Sequence, residues 1–76
     1  MQTPKTIVIE PKEARLRLGL SPNQMAYAMG VHRQTWVKWE RGERQPDRAA
    51  IRLIDALQFM QKRGCLDDFI SMMSAP

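Results

Sequence analysis

The stretch Ser21 to Gly42 reads SPNQMAYAMGVHRQTWVKWERG, and its local chemistry calls for two short helices around one tight turn. Ser21 is a good N-cap, Pro22 suits a first helical position, and Gln24 completes a capping box, so a helix is predicted from Pro22 to Met29. Gly30 supplies the left-handed residue at which a helix stops and the chain turns. After Val31 and His32, strong helix formers predict a second helix from Arg33 to Arg41, ended by Gly42. Helical spacing puts Trp36 and Trp39 together on one face and turns Arg33, Gln34 and Lys38 away from it.

On the N-terminal side, Pro11 with Glu13 in the opening turn starts a helix that Gly19 ends, over Pro11 to Leu18. Before it, Thr6 to Glu10 is a β-branched run between Pro4 and Pro11, which reads as a short strand or extended arm. On the other side, Pro46 punctuates a polar loop and Asp47 caps a long amphipathic helix from Arg48 to Arg63. Ile51, Ile54 and Leu57 form one apolar stripe on it, and Leu53, Leu57 and Met60 a second. Gly64 closes that helix, and Leu66, Phe69, Ile70 and Met73 pattern a short fifth one. The expected fold is therefore all-α: a bundle of about five short helices plus an N-terminal strand or arm. Residues 1–10 form the arm, 11–73 the helical domain and 74–76 a frayed tail.

At 76 residues the chain is one small domain, with room for a core but hardly for a deep substrate pocket beside it. Twelve Lys and Arg against eight Asp and Glu give a net charge of +4, which favours polyanionic partners. Residues 1–32, 33–48 and 49–76 carry +2, +2 and 0, so the basic surface belongs to the first two thirds. One Cys and one His cannot complete a four-ligand zinc site, and Cys65 has no partner for a disulfide within the chain. No metal and no cofactor are expected. The apolar stretch Met25 to Val31 is far shorter than the roughly 20 residues of a membrane span, and Ile7-Val8-Ile9 is too short for a signal-peptide core. These features point to a cytoplasmic protein without a membrane partner.

Helix, tight turn, helix is the unit in which one helix braces a second that enters the DNA major groove. The longer string Leu20 to Gly42, with Pro46 four residues later, resembles the phage-repressor, Cro and Xre family of helix-turn-helix domains. The Leu-Ser, Ala, Gly-Val, Gln-Thr, Trp-Glu-Arg-Gly and Pro positions fall in the family's register, over about Pro11 to Leu57. The resemblance implies a lambda-repressor-like bundle whose third helix reads double-stranded operator DNA, working as a two-fold dimer. It places the base-reading positions on Arg33, Gln34 and Lys38, and the chemistry agrees: Arg and Lys pair with guanine N7 and O6, and Gln with adenine N6 and N7. It places phosphate contacts on Gln24, His32, Arg41 and Arg44, with Thr35 facing a phosphate or a thymine methyl. His32 stands where the family usually has Ser or Thr, and Pro22 where many relatives have Gln. Arg15 and Glu40 match a family pair joining the first helix to the third; as an exposed pair it would be worth only about 0 to 1 kcal/mol.

Trp36 and Trp39 belong in the core rather than stacked on bases, because they oppose Arg33 and Lys38. Met25 and Met29 read as core filling, Cys65 as a small hydrophobe, and Arg52, Lys62 and Arg63 as solvated charge. Asp67 and Asp68 are dipole partners at a helix start rather than an acid/base pair, and no enzyme is expected. Ile7, Ile9, Leu53, Met60, Phe69 and Ile70 supply more apolar surface than the bundle needs and are assigned to a homodimer interface. The leading function is a nucleoid-associated transcriptional regulator, a repressor of an inverted-repeat operator and controlled by its own level. The alternatives are an antitoxin that binds a toxin partner, disfavoured by the absence of a toxin-binding tail, and a pure protein-interaction module.

Overall fold

The computed structural model describes residues 10–74, and within them five helices follow one another: α1 Pro11–Leu18, α2 Pro22–Met29, α3 Arg33–Arg41, α4 Arg48–Arg63 and α5 Leu66–Ser74. Among the described residues there is no strand. The all-α expectation holds, and so do the helix starts read from the caps. The N-terminal run with Ile7 and Ile9, and residues 75 and 76, lie outside the described residues.

Local chemistry sets each boundary. At α2 the Ser21 hydroxyl accepts from the Gln24 amide N–H at 3.1 Å, while the Gln24 side-chain oxygen accepts from the Ser21 N–H at 2.8 Å, a reciprocal capping box. Asp47 caps α4 by accepting from the Ala50 N–H at 2.9 Å. His32, at the N-cap of α3, makes no such bond.

The turn between α2 and α3 depends on Gly30 at φ 73°. Its N–H donates to the Tyr27 carbonyl at 3.1 Å and the next N–H, of Val31, reaches back to Ala26 at 3.0 Å. That pattern satisfies the last carbonyls of α2 and swings the chain into α3 within two residues.

Helix α2 packs on α3 and α4, α1 on α3 and α4, and α5 on α4. The side chains of Met25, Trp36, Ile54 and Leu57 are fully buried where these helices meet. The two tryptophans touch edge to face, with ring centroids 5.7 Å apart and planes at 73°. They form the inner wall of α3, as their spacing requires. Two longer ties complete the bundle: the Tyr27 hydroxyl donates to the Met73 carbonyl at 2.7 Å, joining α2 to α5, and the Gln61 side chain donates to the Arg17 carbonyl at 3.1 Å, joining α4 to the end of α1.

A Cβ added to Gly30 would meet nothing within 4 Å, so only its backbone angle resists substitution. Gly30→Ala should therefore cost about 1 to 2 kcal/mol in urea denaturation, and Gly30→Asn less, because Asn tolerates the left-handed region better than Ala does.

Candidate nucleic-acid interface

Helix α3 is amphipathic in a sharp way. Trp36 and Trp39 are buried, whereas Arg33, Gln34, Lys38 and Arg41 are exposed along the opposite arc. With Val37 and Glu43 these four line one shallow concavity of about 310 Å³. Helical spacing explains the grouping: Gln34, Lys38 and Arg41 are separated by four and three residues, and Arg33, Val37 and Arg41 by four and four.

The cations on this arc are available. No carboxylate among the described residues pairs with Arg33, Lys38 or Arg44, while Arg41 lies 3.7 Å from Glu43 across exposed side chains. Such an exposed pair is weak and can yield to a phosphate. Arg44 is exposed in the loop just beyond α3. At the other end, the first turn of α3 contains no acidic residue and no side chain caps it. Its leading N–H groups, beside the exposed ring of His32, have the positive polarity that suits an anion.

The remaining assigned residues fall less simply. Gln24 is exposed at the start of α2, but its side-chain oxygen serves the capping box, which leaves the amide NH2 as the group able to donate outward. Thr35 is half-buried and is not among the walls of the concavity. Of the residues assigned to a dimer interface, Leu53, Met60, Phe69 and Ile70 pack against the bundle's own core and are half-buried. The large apolar side chains of α4 and α5 left most open are instead Phe59, 61% exposed, and Met72, 65% exposed. Arg63 lies over the Phe59 ring at 5.8 Å.

What holds α3 at this angle is a cluster behind it. Arg15 Nε donates to Glu40 Oε2 at 2.5 Å and Arg15 Nη2 to Oε1 at 3.3 Å, while Nη1 reaches the Leu20 carbonyl at 3.0 Å. The Trp36 indole N–H donates to Glu40 Oε2 as well. The expected pair between the first and third helices forms, and with side chains only 11% and 12% exposed it lies in the seam between α1 and α3 rather than in solvent. Burial pushes the Glu40 carboxyl up, but the hydrogen bonds from Arg15 and Trp36 and the charges of Arg15 and Lys12 outweigh it and hold the carboxyl below its ordinary value. The Trp36 contribution was not read from the sequence, although its spacing of four from Glu40 is the signal that would have found it. Val37, likewise unassigned from the sequence, stands on the exposed arc four residues from Arg33.

The Helix-turn-helix domain family profile matches residues 12–63, more than half of the 76-residue chain. The chain belongs to this family. In this helix-turn-helix domain α2 is the bracing helix and α3 the second helix of the motif, the one that presents the cationic arc. The comparisons with curated proteins and with solved structures gave no match. Among the described residues no helix is long and apolar enough to cross a membrane, and no group of three or more His, Cys, Asp and Glu residues is placed to hold a metal ion.

The sign of the Glu40 effect fixes a pH dependence. Its folded-state pKa lies below the ordinary 4.5, so its stabilisation is fully present above that value and is lost as the pH falls through the folded-state pKa. Urea midpoints measured from pH 7 downward should decline through this range, and Glu40→Gln should remove that part of the decline. At pH 7, Arg15→Ala should cost about 3 kcal/mol, because it leaves the buried carboxylate without its counter-charge.

Proposed function

We propose that this chain is a sequence-specific regulator of transcription that reads double-stranded DNA by seating α3 in the major groove, and that it represses as a homodimer. The observation that carries this reading is the cationic arc of α3, held rigidly from behind by two buried tryptophans and a buried ion pair. Guanidinium, ammonium and amide groups at Arg33, Lys38 and Gln34 have the donor patterns that distinguish guanine and adenine on the major-groove edge. Arg41 on that arc, and Arg44, His32 and Gln24 elsewhere on the motif, carry groups suited to phosphate, which fixes position without selecting sequence. A body placed across successive grooves of a promoter blocks other proteins from the same DNA, the physical basis of repression.

The dimer is supported by the apolar character of the second half of the chain. Phe59 and Met72 are exposed, and Leu53, Met60, Phe69 and Ile70 are half-buried. Residues 49–76 carry no net charge, so two copies can approach there without the repulsion that the basic face would bring. Two α3 helices related by a two-fold axis meet successive major grooves about 34 Å apart, and the matching operator is an inverted repeat with half-sites about 10 base pairs apart.

Two experiments test this. Duplexes recovered by the purified protein from a random pool should converge on an inverted repeat. On that site Arg33→Ala, Gln34→Ala or Lys38→Ala should each cost about 1 to 3 kcal/mol and relax the preference at one position, whereas Arg44→Ala should weaken all sequences alike and lower the salt slope by about 1. Folded Arg33→Ala and Lys38→Ala variants with wild-type affinity and preference would remove α3 as the reader. Separately, sedimentation at micromolar concentration should give a dimer; a monomer both free and on DNA would overturn the two-fold arrangement.

A further inference from the structure

Among the walls of the α3 concavity Val37 is the apolar exception, set among Arg33, Gln34, Lys38, Arg41 and Glu43. A half-buried valine on a helix is ordinarily there to pack. Among the described residues, this one is neither a member of the buried core nor one of the partly buried side chains resting against it. Nor does it serve the helix, since a branched Cβ lowers helix propensity. Its methyl groups are instead on the arc that carries the cations, four residues after Arg33, three after Gln34 and four before Arg41.

The major-groove edges of the bases offer one apolar group, the C5-methyl of thymine; every other feature there is a hydrogen-bond donor or acceptor. A valine pressed against that edge gains from a methyl and loses against the cytosine amino group, whose hydrogen bond to water it would displace without replacing. We propose that Val37 is a specificity-determining residue that recognises a thymine methyl, flanked by the bases that Arg33 and Gln34 read. This rests on α3 being the recognition helix. It assigns the arc two kinds of readout: hydrogen bonds for purines and an apolar contact for one pyrimidine.

The test uses the duplex recovered from the random pool, with each thymine replaced in turn by deoxyuridine, which removes the methyl and nothing else. One thymine in each half-site should respond, the wild-type affinity falling about fourfold for the loss of one buried methyl. With Val37→Ala the same replacement should have no effect. Val37→Thr, which keeps the side-chain shape and exchanges a methyl for a hydroxyl, is the second variant should Val37→Ala lose its circular-dichroism signature. It should reduce the thymine-over-deoxyuridine ratio below the wild-type value. If no thymine responds in the wild type, or if the penalty survives unchanged in the folded Val37 variant, the assignment is overturned while α3 remains the reader. If the pool converges on no sequence, base reading by α3 fails and the Val37 assignment fails with it.

Discussion

The carboxylate of Glu40 is the point on which the arrangement of this domain depends. It accepts from Arg15 on α1 and from the indole of Trp36 one turn earlier on its own helix. Arg15 in turn holds the Leu20 carbonyl just ahead of α2. One acidic side chain thereby ties α1, the approach to α2 and the presenting helix α3 into a single body. A buried charge with three donors resists displacement, because any movement that opens one bond leaves a desolvated carboxylate behind it. The angle of α3 to the rest of the bundle follows from that constraint together with the tryptophans packed beneath it.

This placement separates two tasks on one short helix. The inner wall, Trp36, Trp39 and Glu40, is committed to structure, and the outer arc from Arg33 to Arg41 is left free of structural duty. Rigidity behind and availability in front are what base reading needs, because donors must be held at fixed positions along the groove before they meet a base. Trp39 shows that the packing has a cost, since its buried indole N–H finds no acceptor among the described residues. The burial of the large ring, together with its edge-to-face contact with Trp36, offsets that loss.

Local signals made the architecture legible. A Ser-Pro-x-Gln start, an Asp before a long amphipathic run and glycines at the helix ends act within one turn of chain, so the start and stop of α2, α3 and α4 could be placed from neighbours alone. The same was true of the division of α3 into tryptophan and cation faces, which depends only on helical periodicity. The dimer assignments were less well served. Amphipathic stripes identify apolar faces but not how much of each face the bundle itself covers, and Leu53, Met60, Phe69 and Ile70 prove to be partly used by the core while Phe59 stands open.

The helices, their order, the face each presents and the sign of the charge on the outer arc of α3 were all specified by residue order, because they follow from contacts within a few residues. Tertiary structure alone decided that Arg15 and Glu40 meet out of water, 25 positions apart, and that the Trp36 indole shares their carboxylate. It also decided that Val37 stands outside the core cluster of the described residues and lines the same concavity as the cations. Burial and partnership depend on which helices lie across the gap. No periodicity within one helix records that.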